Sequence, residues 1–227
     1  MIPTKPTRTP SMNPIIRRFQ NAVALAALCG ALAWSSTVAS AADRVIAHWD
    51  MSAPGADARL IPAAADSEAG DLKYPAAPTA TIEKDAAAPG GQALVFPMAE
   101  PGGKSTNKVM VDADYNVELH VKISPDNKCE KPLLIVYSPF FTITYQNDNI
   151  AFNVFHSEGY TFIIKPIQTG EWITVTASVE GGKMTLAVNG DTVEKALPPD
   201  AKPDGKANLI SAGGFVGAIA KLVVTAK

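Results

Sequence analysis

The chain has 227 residues, of which 47% are hydrophobic and 19% charged, with 20 Lys and Arg against 22 Asp and Glu for a formal net charge of −2. Two cysteines and three histidines leave no His/Cys spacing suited to zinc, and no basic stretch interleaved with aromatics offers a surface to a phosphate backbone. Nucleic acid is therefore excluded as a partner.

Residues 1–41 read as a secretory signal. Lys5, Arg8, Arg17 and Arg18 precede the apolar run AVALAALCGALAW (22–34), and Ala39-Ser40-Ala41 supplies the small side chains of a cleavage site. The run is shorter than the roughly 20 residues that a spanning helix needs. Gln20 stands where a twin-arginine signal wants a large apolar residue, which favours ordinary secretion. A mature chain from residue 42 onward keeps 16 basic against 22 acidic residues, for a net charge near −6. It is expected to be secreted or periplasmic, with no membrane span left after cleavage. Its single cysteine, Cys129, follows the turn-like PDNK and excludes an internal disulfide.

RVIAHWD (44–50) reads as the first strand. Residues 51–79 are rich in Ala, Pro, Asp and Gly, and predict a surface loop with one short helical turn near Ala63 to Glu68. QALVFPM (92–98) is the next strand, and GGKSTN (102–107) a turn. In DYNVELHVKIS (114–124), Tyr115, Val117, Leu119, Val121 and Ile123 alternate with Asn116, Glu118, His120 and Lys122, the pattern of a strand lying on a core. Reversals follow at Asn147-Asp148, at Ser157-Glu158-Gly159, at Gly181-Gly182 and at Asn189-Gly190, the last with Val188 and Thr192 facing each other. GFVGAIAKLVVTA (214–226) closes the chain as a strand. About ten short strands with turns every 8–12 residues predict an all-β, antiparallel two-sheet jelly-roll sandwich in a single domain, residues 42–227.

Five segments, in order, resemble the laminin-G-like, concanavalin A-like jelly roll of exported bacterial proteins. These are VIAHWDMSA, GQALVFP, DYNVELHVKISP, GEWITVTASVEGGKMTLAVNGDTV and GGFVGAIAKLVV. The resemblance departs at Ala220, where the family usually has an acid after the terminal isoleucine. It implies a two-sheet fold with a curved face, used by different members for glycan binding, adhesion or glycoside cleavage. It also implies calcium as the only candidate cofactor, held at loop rims, for which Asp112, Asp114 and Asp148 are the candidates.

Sugar recognition needs an aromatic to stack on and polar groups to fix hydroxyls. Glu118 and His120 share one face of their strand, and Asn153 and Phe155 one face of theirs. If the two strands are neighbours, the four form one binding row. Trp172 and the His48/Asp50 pair read as packing and surface. A retaining glycosidase needs two carboxylates together, and Glu118 has only a histidine at the next same-face position. The expectation is thus an exported noncatalytic module that binds a glycan or a surface partner. The alternatives are a glycoside hydrolase or polysaccharide lyase of the same fold, or a structural envelope protein. Secreted material is predicted to begin at Ala42 or Asp43, as read by intact mass; a mass that includes residues 1–34 would identify the apolar run as an anchor.

Overall fold

The computed structural model describes residues 43–51, 58–75, 80–99, 101–127, 133–138, 140–203 and 205–227, so the leader and Cys129 lie outside the described residues. Strict alternation decides the architecture. Tyr115, Val117, Leu119, Val121 and Ile123 are all buried, while the residues between them are partly exposed. Across from them, Phe141 stacks on Tyr115 with centroids 5.0 Å apart, and Phe152 meets Tyr115 edge-on at 6.5 Å. These rings belong to two different sheets, so their contact is the seam of a sandwich.

The first sheet contains β1 (Arg44–Asp50), β4 (Thr81–Lys84), β5 (Gln92–Phe96), β7 (Tyr115–Ile123), β12 (Trp172–Glu180), β13 (Lys183–Val188), β14 (Asp191–Ala196) and β16 (Gly217–Ala226). Its order is β14-β13-β12-β7-β16-β5-β4, with β1 also on β16. The second contains β2 (Leu60–Ile61), β3 (Leu72–Lys73), β6 (Gly103–Ser105), β8 (Leu133–Ser138), β9 (Phe141–Gln146), β10 (Asn149–His156), β11 (Gly159–Pro166) and β15 (Ser211–Ala212). Its order is β11-β10-β9-β8-β15-β6-β3-β2. Every pairing is antiparallel, and the chain is an all-β, two-sheet jelly-roll sandwich.

β16 is the centre of the first sheet. One side runs along β7, while the other is shared between β5 at residues 217–219 and β1 at residues 221–226. The changeover is a bulge at Ala220, which is fully buried with Ala88, Ala93 and Ala218. A small apolar side chain suits that buried point, where a carboxylate would be costly to bury.

Several expectations change. Residues 51–79 are not one loop: Ile61 and Leu72 are fully buried on β2 and β3, Ala63 bridges to Trp49, and turns at 65–66 and 68–69 stand where a helical turn was expected. Strands of two residues are too short to show a period. Residues 103–105 form a strand rather than a turn, because Gly103 lies against the Tyr74 ring where a Cβ would collide. At the Asn189-Gly190 turn, Val188 pairs with Asp191 and Thr192 with Ala187, one residue away from the expected register. The strands 115–123 and 149–156 are not neighbours: β7 lies between β12 and β16, and β10 between β9 and β11. Pairing between distant segments leaves no mark in either strand's own alternation.

The turn chemistry stands. Asn147, Asp148, Asn189 and Gly190 have φ of 49°, 57°, 50° and 83°, the primed geometry of two-residue hairpins. A Cβ at Gly190 meets no atom within 4 Å, so a larger residue there is opposed by backbone strain alone. Gly190→Val is expected to cost about 1 kcal/mol or more in denaturant unfolding, with Gly190→Asn costing less; an unchanged midpoint for the valine variant would contradict the turn assignment.

Candidate functional site

Because both inner faces are apolar, polar residues on β7 and on β10 point out of opposite sides of the sandwich. The four expected binding residues therefore divide into two pairs, and no single site joins Glu118 and His120 to Asn153 and Phe155.

On the outer face of the first sheet, Glu118 is already satisfied. Its Oε1 lies 2.9 Å from His120 Nε2 and accepts from Lys221 Nζ at 3.1 Å. Burial raises the Glu118 pKa, but the bonds from Lys221 and His120 outweigh it and hold the carboxyl below its usual range. His120 is mostly buried, with no partner for Nδ1 among the described residues. Nearby, Asp85 from the β4–β5 turn accepts from Lys122 Nζ at 2.8 Å and from Trp172 Nε1 at 3.0 Å, while Lys122 sits 5.7 Å from the Trp172 ring centroid. Trp172 thus packs on the outside of this sheet, partly buried beside Ala218 and Ala220, rather than at the end of the sandwich. These side chains are tied to one another and have little left to offer a ligand.

The outer face of the second sheet is different. Register puts Phe155 opposite Tyr160, Asn153 opposite Phe162 and Ala151 opposite Ile164 on β11, with Thr142 and Thr144 opposite Asn153 and Ala151 on β9. Tyr160, Phe162 and Ile164 are 58%, 46% and 52% exposed, and they form an apolar shelf with Phe155. Phe155 meets Tyr160 edge-on at 6.1 Å, and Tyr160 lies 6.0 Å from Phe162. Asn153 Nδ2 donates to Thr142 Oγ1 at 3.0 Å, which fixes the amide beside the rings. Together these residues line a groove of about 360 Å³, apolar on one side and bearing Thr144, Gln146 and Asn153 on the other. Lys195 of β14 lies 5.4 Å from the Phe162 centroid and donates to the Phe162 carbonyl at 3.3 Å.

Sequence reasoning reached Asn153 and Phe155 but missed Tyr160, Phe162 and Ile164. β11 carries Tyr160, Phe162 and Ile164 on its exposed face and Thr161, Ile163 and Lys165 on the other, so its alternation read alone points the apolar row toward the core. The tight turn after His156 was the available signal, since it pairs Phe155 with Tyr160 directly.

The calcium candidates have other partners. Asp112 accepts from Arg44 Nη2 at 2.7 Å, Asp114 from the Gly181 N–H at 3.0 Å, and Asp148 from the Tyr145 hydroxyl at 2.7 Å. No group of three or more His, Cys, Asp or Glu side chains able to hold a metal occurs among the described residues. His48 faces Asp66 at 3.8 Å, a surface contact to a different acid from the expected Asp50.

No protein-family model and no curated protein matches the sequence. Among solved structures, the chain is similar to domain 4 of AbnA, a GH43 extracellular arabinanase from Geobacillus stearothermophilus in complex with arabinotriose. Identity is 16% and the TM-score 0.59, over 81% of this chain and 93% of that one. It is also similar to the Trypanosoma rangeli sialidase in complex with sialic acid, at 11% identity and a TM-score of 0.53, over 80% of this chain and 30% of the sialidase. At these identities the likeness is one of fold, in agreement with the jelly-roll sandwich.

Asp85 carries a test of the first sheet's outer face. Hydrogen bonds from Lys122 and Trp172 lower its pKa from 3.8 to about 2. A depressed carboxylate pKa contributes stability above its unfolded value, and that stability is lost as pH falls through the folded value. The unfolding free energy should therefore fall between pH 4 and pH 2 by about 1 kcal/mol more in the wild type than in Asp85→Asn, after allowance for solvent screening. Parallel pH profiles would contradict the bonded arrangement.

Proposed function

We propose that the chain is an exported, noncatalytic carbohydrate-binding module whose ligand lies along the outer face of β9, β10 and β11. The observation that carries this reading is the exposed row of Tyr160, Phe162 and Ile164, flanked by the half-buried Phe155 and the fixed amide of Asn153. A contiguous exposed apolar strip is costly to a lone soluble domain and marks a contact surface. Aromatic rings accept the apolar face of a sugar, and Asn153, Thr144 and Gln146 supply donors and acceptors for its hydroxyls.

Export rests on the leader and its cleavage site. The narrower laminin-G-like kinship belongs to the same proposal, supported by the five ordered segments. A shared fold with a domain solved with arabinotriose is compatible with sugar binding, but supplies no residue of the site. The groove's described lining contains no carboxylate, so a two-carboxylate glycosidase mechanism has no groups to run on there. Glu118 and His120 enter this reading as a structural pair, and Asn153 and Phe155 as ligand contacts.

Affinity electrophoresis of the mature protein against a polysaccharide panel tests the proposal. At least one polymer is expected to retard migration without gaining new reducing ends or unsaturated products. Phe155→Ala and Tyr160→Ala should each weaken that binding about tenfold, a loss of one stacking contact, with a folded circular dichroism spectrum. Folded variants that bind as the wild type does would place the ligand elsewhere.

A further inference from the structure

The strands of the second sheet contain no aspartate or glutamate anywhere in their sequences. Those of the first sheet carry Asp50, Glu83, Glu118, Glu180, Asp191 and Glu194. In a chain with an excess of acids, that division leaves one sheet with cations alone.

Two of these cations are placed together. Lys73 on β3 and Lys104 on β6 are direct cross-strand partners and both are exposed. Like charges directly opposite each other repel, with Cβ atoms about 5 Å apart. Neither lysine has an ion-pair partner among the described residues, whereas Lys122, Lys165, Lys183, Lys221 and Lys227 each pair with an acid. A surface groove of about 600 Å³ is lined by both of them.

The register ties this pair to the aromatic shelf. Lys73 pairs with Lys104, Lys104 with Ser211, Ser211 with Tyr137, Tyr137 with Thr142, Thr142 with Asn153 and Asn153 with Phe162. One row of the ladder thus crosses the sheet from the lysines to the rings. Four strand spacings separate Lys104 from Asn153, roughly 19 Å, which an oligosaccharide of several units spans.

We infer that the glycan is anionic, and that Lys73 and Lys104 form a second subsite taking a carboxylate or sulfate of a chain whose neutral face stacks on Phe155, Tyr160 and Phe162. The inference rests on the carbohydrate-binding reading above and specifies its ligand class. An anion between the two ammonium groups relieves their repulsion and accepts charge-assisted hydrogen bonds from them. The cross-sheet row sets the polymer's direction, perpendicular to the strands.

The test compares dissociation constants of the mature protein, at low salt, for polygalacturonate against its fully methyl-esterified form and for dextran sulfate against dextran. The charged member of at least one pair should bind about tenfold tighter, a gain expected of two charge-assisted contacts, and the pair concerned identifies the anion as carboxylate or sulfate. K73Q/K104Q should abolish the preference, whereas K183Q/K227Q, which removes the same charge elsewhere, should retain it. Phe155→Ala should weaken charged and uncharged polymers alike. Equal affinity within both pairs, or an equal loss in K183Q/K227Q, overturns the inference. Binding of a neutral polymer but of neither anionic one overturns the anionic assignment and leaves the carbohydrate reading standing. Binding of no polysaccharide in the wider panel overturns both.

Discussion

Tyr115 against Phe141 and Phe152 is the contact on which the rest depends, because it locks the apolar faces of two sheets together. Once those faces are buried, the period of two leaves no freedom to the residues between. Asn116, Glu118, His120 and Lys122 on β7 must leave through one side of the sandwich, and Asn149 and Asn153 on β10 through the other. Burying about a dozen large side chains here stabilises the fold by far more than any surface bond does, at roughly 1.5–3 kcal/mol each before entropy is counted. The positions of both outer faces are consequences of that packing.

The two outer faces have been put to different uses. On the first sheet, acids and bases are matched: Glu118 with Lys221 and His120, Asp85 with Lys122 and Trp172, Glu180 with Lys227, Glu194 with Lys183. Such pairs contribute little individually, but each consumes the groups a ligand would need. On the second sheet, acids are missing from the strands, two lysines face each other, and rings stand in water. The exposed rings and the facing lysines of the second sheet, beside a first-sheet face whose acids are paired, are the physical ground for placing the ligand there.

Strands and turns were legible in the sequence because both are local. Tyr115 to Ile123 alternates without a break, and Asn147-Asp148, Gly181-Gly182 and Asn189-Gly190 are residues that accept positive φ. Sheet membership was not legible, since nothing in NVELHVK or NIAFNVF says which distant strand lies alongside. That gap joined Glu118 and His120 to Asn153 and Phe155 across a sandwich that keeps them apart. β2 and β3 escaped notice because each is anchored by one buried residue, Ile61 or Leu72, in an Ala- and Pro-rich surround. Lys73 and Lys104 gained meaning only through their register.

Which outer face meets the ligand is the central claim, and backbone amide chemical shifts measure it residue by residue. The mature protein, labelled with ¹⁵N, would be titrated with a short oligosaccharide of whichever polymer it binds. Shift changes are expected at Thr142, Asn153, Phe155, Tyr160 and Phe162, with Glu118, His120 and Lys221 unmoved. Changes centred on Glu118 and His120, with the second sheet silent, would contradict the assignment of the binding face.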